Sequence, residues 1–223
     1  MTAREAEIIE LIRKEVKPAL GCTEPIAVAL AVAKAMEIIE EKCAPEASWR
    51  MGKGYSLRIE VSGNILKNGM GVGIPGTGMV GLHIAAALGA VCGRSEYGLE
   101  VLNDLDESSI ARAKELVEDK SVTVGLADTT LKLYVKANID YDGHCASAVI
   151  ENDHDNIVET SLDGNILSSA RKTAGSECPE QKATLDYHLT VKEIVDFAST
   201  VAYEDIEFIL ESRTLNLALA KEG

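Results

Sequence analysis

Aromatic residues are scarce. The 223-residue chain holds one Trp, six Tyr and two Phe, so its core has to be assembled from Ala, Val, Ile and Leu. Bases are also in deficit, 22 against 36 acids for a formal charge of −14. Nucleic-acid binding and adhesion to anionic membranes both need a basic face, so neither partner is expected. No long apolar run is present: the most apolar stretch, Pro25 to Met36, is broken by Lys34, and a bilayer span takes about 20 apolar residues. The opening Met1 to Glu7 is charged and lacks the apolar segment of a signal peptide, so the expected location is the cytoplasm. The cysteines are Cys22, Cys43, Cys92, Cys145 and Cys178, odd in number and without a Cys-x-x-Cys pair. A disulfide framework or a self-contained zinc or iron–sulfur site would cluster them, so no metal ligand is expected in this chain. Most of the thiols read as buried, inert small hydrophobes; Cys22 is the exception.

What remains is an ordinary globular composition, 46% hydrophobic and 26% charged. At roughly 150 residues per domain the length fits one large domain or two small ones. Ala6 to Val16 carries apolar residues at helical spacing. Pro18 ends that helix, and Thr23 is the predicted N-cap of a second, apolar nearly all round from Ile26 to Ile39, which marks a buried helix. Tyr55 to Val61 alternates as a strand. Gly63 to Gly69 and Gly71 to Gly78 read as polar, Gly-rich turns, leading into a small-residue helix over Met79 to Val91, with another over Glu107 to Glu118. Beyond Val122 the period becomes two, and Asp142-Gly143 and Asp163-Gly164 punctuate it as hairpins. Ser168 to Tyr187 reads as a linker. A capping box at Thr190 and Glu193 opens the last helical region. The expected class is α+β: buried Ala-rich helices on an antiparallel meander, with a closing helical segment. The expected parts are 1–120, 121–189 and 190–223.

Chemistry concentrates in two places. Gly21-Cys22-Thr23-Glu24-Pro25 puts a thiol at a helix start, where the dipole and free N–H groups favour a thiolate, beside a carboxylate. Gly21 there permits close backbone approach, and the thiol pKa is expected to fall. The other is Gly76-Thr77-Gly78-Met79-Val80-Gly81, which has the spacing of a dinucleotide loop, with Glu100 further on, but lacks a preceding parallel strand. An anion cradle for a substrate carboxylate uses the same physics. Asn64, Lys67 and Asn68 lie between them as polar groups able to orient a small substrate, or as turn residues. His83, His144, His154 and His188 receive no role.

The run Glu15-Val16-Lys17-Pro18-Ala19-Leu20-Gly21-Cys22-Thr23-Glu24-Pro25 resembles the opening of the L-cysteine desulfidase family, relatives of the alpha chain of iron–sulfur L-serine dehydratases. Asn64 to Gly69, Gly71 to Gly81 and Phe208 to Glu211 agree in wording and order, as do Asn216 and the closing Glu222-Gly223. The resemblance implies a lyase that takes sulfide from L-cysteine or water from L-serine and yields pyruvate and ammonia. It implies Cys22 as the base that removes the α-proton. It also implies a [4Fe–4S] cluster whose cysteine ligands lie in a second half, beyond this chain or on a separate subunit, so the chain alone is expected to be inactive. Donor chemistry adds Thr23, Glu24, Asn64, Lys67, Asn68, Gly76, Thr77 and Gly78 as candidates to hold an amino-acid substrate. Homo-oligomerisation, a dinucleotide enzyme using Gly76 to Gly81, and a non-catalytic regulatory or assembly domain stay open.

Overall fold

The computed structural model describes residues 2–43, 49–52, 54–171 and 188–222. It divides into two compact units, one formed from Met1–Pro18 with Ala174–Gly223 and the other from Ala19–Thr173. The fold is α+β, as expected. The division differs from the expected three parts, because strands on either side of residue 120 pair in one sheet and the first helix falls in the same unit as the last ones. Cys178 and most of the expected linker, 172–187, lie outside the described residues.

The larger unit is built on helix α2, Thr23–Lys42. From Pro25 to Ile39 every residue but Lys34 and Glu37 is buried. It lies against the sheet and beside α4, Leu82–Val91. The small residues explain the fit: a Cβ on Gly89 of α4 would stand 2.4 Å from the Ala29 carbonyl oxygen, so the two backbones touch where no larger residue is admitted. Helix α5, Glu107–Glu118, packs on α4. Its start is capped by Asp106, which accepts from the Ser109 N–H at 2.8 Å.

The sheet has six strands in the order β4-β1-β5-β6-β7-β8, with β1 at Tyr55–Val61, β4 at Val122–Leu126, β5 at Tyr134–Tyr141, β6 at His144–Glu151, β7 at Ile157–Leu162 and β8 at Asn165–Ser169. Strands β5 to β8 form the expected meander. Asp142-Gly143 and Asp163-Gly164 make its turns with φ of 46° and 83° and of 50° and 77°, the left-handed pairs that match strand twist. The edge differs from expectation: β4 pairs parallel to β1, Ile59 opposite Val124. Period-two patterning carries no strand direction; direction follows from the long, helical crossover between β1 and β4.

Two further segments depart from expectation. Gly63–Gly69 is a short helix, α3, not a turn; Ile65 is buried and anchors it. The helix predicted from Met79 starts at Leu82, because Met79–Val80 (β3) pairs with Gly73–Ile74 (β2) as a hairpin and Gly81 has φ 99°. Three of the nine aromatics meet at one point, where the Trp49 ring lies 5.6 Å from Tyr55 and 4.8 Å from Tyr141.

The smaller unit contains α1 (Ala3–Glu15), α6 (Val191–Thr200), α7 (Tyr203–Ile206) and α8 (Leu210–Glu222). Thr2 with Glu5 and Thr190 with Glu193 form capping boxes, the second as predicted. Arg4 joins the first helix to the last region through Glu193 at 3.1 Å and the His188 carbonyl at 3.1 Å. The Arg13 guanidinium stacks 4.0 Å over Phe208. Among the described residues no helix is long and apolar enough to cross a membrane.

Candidate functional site

Cys22 takes the N-cap position of α2, with Thr23 as the first helical residue. The reason lies one residue earlier: Gly21 has φ +100°, a backbone conformation that turns the chain into the helix and that a side chain would strain. A Cβ there would meet nothing nearer than Pro75 at 3.9 Å, so conformation, not close approach, calls for glycine. Cys22 is exposed, and its thiol donates to Glu24 Oε2 at 2.8 Å. Asn68 Nδ2 donates to the other oxygen, Oε1, at 3.1 Å. Loss of solvent around the sulfur and the adjacent carboxylate push the thiol up from its ordinary value, outweighing the backbone N–H groups of Thr23 and Glu24. The expected drop is therefore reversed in direction: the helix-end donors are present, but lost solvation and the neighbouring negative charge outweigh them. Glu24 moves the other way. The thiol hydrogen bond holds its carboxyl below the usual range against burial, and the Asn68 amide and the charge of His154 assist.

Glu24 also lines a cavity of about 160 Å³ with Asn64, Asn68, Lys132 and His154, and with the apolar Ile65 and Leu133. Drug-sized ligands need about 300–1,000 Å³, so this space suits a small metabolite. Four segments supply it: α2, α3, the entry to β5, and the turn between β6 and β7. Ser62 holds two of them together, donating from its hydroxyl to the Lys132 carbonyl at 2.9 Å and accepting from the Tyr134 N–H at 3.3 Å. Asn152 N–H donates to the Leu133 carbonyl at 3.2 Å, which ties the turn carrying His154 to the segment carrying Lys132.

The structure thus brings Glu24, Asn64 and Asn68 together and links Cys22 to them through one carboxylate. Thr23 and Lys67 do not line the cavity. Gly76, Thr77 and Gly78 form the β2–β3 turn, where Thr77 is buried and its hydroxyl is committed to the Ile74 carbonyl at 2.7 Å and the Met79 N–H at 2.9 Å. Gly76 and Gly78 lie in a hairpin rather than at a helix start, so the strand–turn–helix geometry of a dinucleotide loop is not formed. Lys132 and His154 are what sequence reasoning missed. Nothing local distinguishes them; His154 received no role from the sequence, and only the fold carries it to Glu24. Of the other histidines, His144 Nδ1 pairs with Asp163 at 2.8 Å and His83 is half-buried on α4.

A larger cleft, about 750 Å³, lies along the C-terminal half of α2. All of its charged side chains but Glu96 are paired, Lys34 with Glu37 at 3.2 Å, Arg50 with Glu40 at 2.7 Å and Arg94 with Asp104 at 2.6 Å. It contains none of the motif residues. The smaller cavity is the better site on chemistry. Cys43, Cys92 and Cys145 are half-buried, and among the described residues no group of three or more His, Cys, Asp or Glu could hold a metal ion.

The chain is similar to proteins of the UPF0597 group. It is 43% identical over 218 residues to a UPF0597 protein of Bacteroides fragilis, covering 97% of this chain and 47% of the relative. It is also 43% identical to one from Phocaeicola vulgatus, with the same coverage, and 41% identical to one from Shewanella pealeana, covering 96% of this chain and 48% of that protein. No family model matches the chain, and no solved structure does. The chain spans about half the length of the curated relatives it matches.

Proposed function

We propose that this chain carries part of the active site of a lyase that eliminates sulfide from L-cysteine or water from L-serine, giving pyruvate and ammonia in the cytoplasm. The observation that carries the reading is the Cys22–Glu24 pair at 2.8 Å, with Glu24 held from its other side by Asn68 at the wall of a small cavity. A thiol acts as a base only once it has lost its proton. On this reading Cys22, positioned by Glu24, gives up its proton to solvent as the site fills, the thiolate takes the substrate's α-proton, and the electron pair left on Cα expels the β-substituent by breaking its bond to Cβ. The product, aminoacrylate, hydrolyses to pyruvate and ammonia. The resemblance to L-cysteine desulfidases supports the same assignment.

The described residues do not fit a [4Fe–4S] cluster: the four cysteines sit on separate segments, and no suitable donor group forms among them. On this proposal the cluster and its ligands belong to the remainder of the protein or to a partner subunit, and no step above passes through them. The test is an anaerobic assay of pyruvate and sulfide from L-cysteine, and of pyruvate from L-serine. It is run on the 223-residue chain alone and on the chain produced with the polypeptide encoded next to it. We expect no turnover by the chain alone, turnover by the pair, and a loss of about 10²–10⁴-fold with Cys22→Ser. Unchanged turnover in that variant removes Cys22 from the reaction and favours a regulatory or assembly role.

A further inference from the structure

The cavity beside Glu24 is lined by side chains of both kinds, acidic and basic. Glu24 lines it together with Lys132 and His154, the two residues that the lyase reading above does not use. Both residues stand on backbone that is tied down. The backbone of Lys132 is fixed by the Ser62 hydroxyl at 2.9 Å, and the turn bearing His154 is fastened to the next residue, Leu133, by the Asn152 N–H at 3.2 Å. The Asn156 side chain closes the same turn on the Glu151 carbonyl at 2.8 Å. Asn64 and Asn68, from α3, add amide groups to the lining, the Asn68 amide donating to Glu24 at 3.1 Å. A cavity of about 160 Å³ lined by a carboxylate and by basic side chains matches a small zwitterion.

We propose that Lys132 and His154 bind the α-carboxylate of the amino-acid ligand while Glu24 and the two asparagines receive its ammonium group. This rests on the lyase reading for the class of ligand, but it assigns the ligand's orientation and two residues that reading leaves unused. The carboxylate then points toward the β5 entry and the β6–β7 turn, and Cα is brought to the Glu24 side, where Cys22 is linked.

The test reads binding, not turnover, and uses the whole 223-residue chain. Two-dimensional amide NMR spectra are recorded while L-serine is added, then L-serinamide, which keeps the ammonium but lacks the carboxylate. L-Serine is expected to shift the signals of Asn64, Asn68, Leu133 and the 152–156 turn saturably. L-Serinamide should bind at least about tenfold more weakly, and Lys132→Gln and His154→Gln should each weaken L-serine by at least about tenfold while leaving the amide's affinity unchanged. Lys132→Arg should restore much of the loss, and the spread of the spectrum reports that each variant is folded. Equal binding of serine and serinamide, or serine binding unmoved by both variants, overturns the carboxylate assignment and leaves the lyase reading standing. No shift around the cavity, with turnover persisting in the anaerobic assay, also overturns the assignment alone, because the substrate then sits elsewhere. No shift and no turnover overturn both.

Discussion

At the scale of single residues, the decisive contact is a thiol donating to a carboxylate two positions later in the chain. It fixes a sign that can be measured. Because lost solvation and Glu24 both raise the Cys22 pKa, iodoacetamide should label Cys22 more slowly at neutral pH than an ordinary exposed thiol, and the rate should climb only as pH passes above the usual thiol range. Glu24→Gln removes the negative charge and should speed labelling at neutral pH by roughly threefold to tenfold, read by peptide mass mapping. Slower labelling in the variant would mean that the carboxylate assists thiolate formation in the resting protein. Cys22 and Glu24 were legible in the sequence because chemistry and helix start fall within five residues. The direction of the thiol shift was not, since dipole and carboxylate oppose each other and only the 2.8 Å separation decides between them. Lys132 and His154 were illegible for another reason: their position depends on sheet register, which no local pattern records.

At the scale of elements, the helices were the clearest. The unbroken apolar face of α2 and the period of α5 leave little choice, and Asp-Gly pairs named two hairpin turns. Elements that depend on partners were less clear: α3 looks like turn chemistry until Ile65 is given something to bury against, and β4 reveals its parallel direction only once β1 lies beside it. The contact between α2 and α4 yields a quantitative expectation. Gly89→Ala places a Cβ 2.4–3.0 Å from the backbone of Ala29, and backbone cannot step aside as a side-chain tip can. The alanine gains helix propensity of about 1 kcal/mol but forces two packed helices apart, at a cost of typically 1–3 kcal/mol or more. Net destabilisation of up to about 2 kcal/mol is expected in urea unfolding. A stabilised protein would show that the helices separate freely.

At the scale of the whole molecule, the chain ends form one unit and the middle another, so the two can be tested apart. Every residue of the cavity, together with Cys22 and the α2–α4 core, lies within Ala19–Thr173. A polypeptide limited to those residues should unfold cooperatively in urea and keep the L-serine shifts of the full chain within about twofold in affinity. Non-cooperative unfolding would show that the end helices are needed for the core, and a lost response in a folded protein would place ligand contacts outside the unit. The opening scarcities acquire a meaning at this scale as well. With so few aromatic rings, close approach of small residues takes over the packing, and the cohesion of the core rests on fit more than on bulk.

The position of β1 has a consequence for how the protein is made. Both of its neighbours, β4 and β5, come later in the chain. As the polypeptide leaves the ribosome, Tyr55–Val61 is exposed with two open edges until Val122–Leu126 and then Tyr134–Tyr141 have been translated. Its alternate side chains Leu57, Ile59 and Val61 are those that end up buried. A nascent chain halted in that interval presents an unpaired apolar strand, so steady elongation through the helical crossover protects the newborn protein from its neighbours.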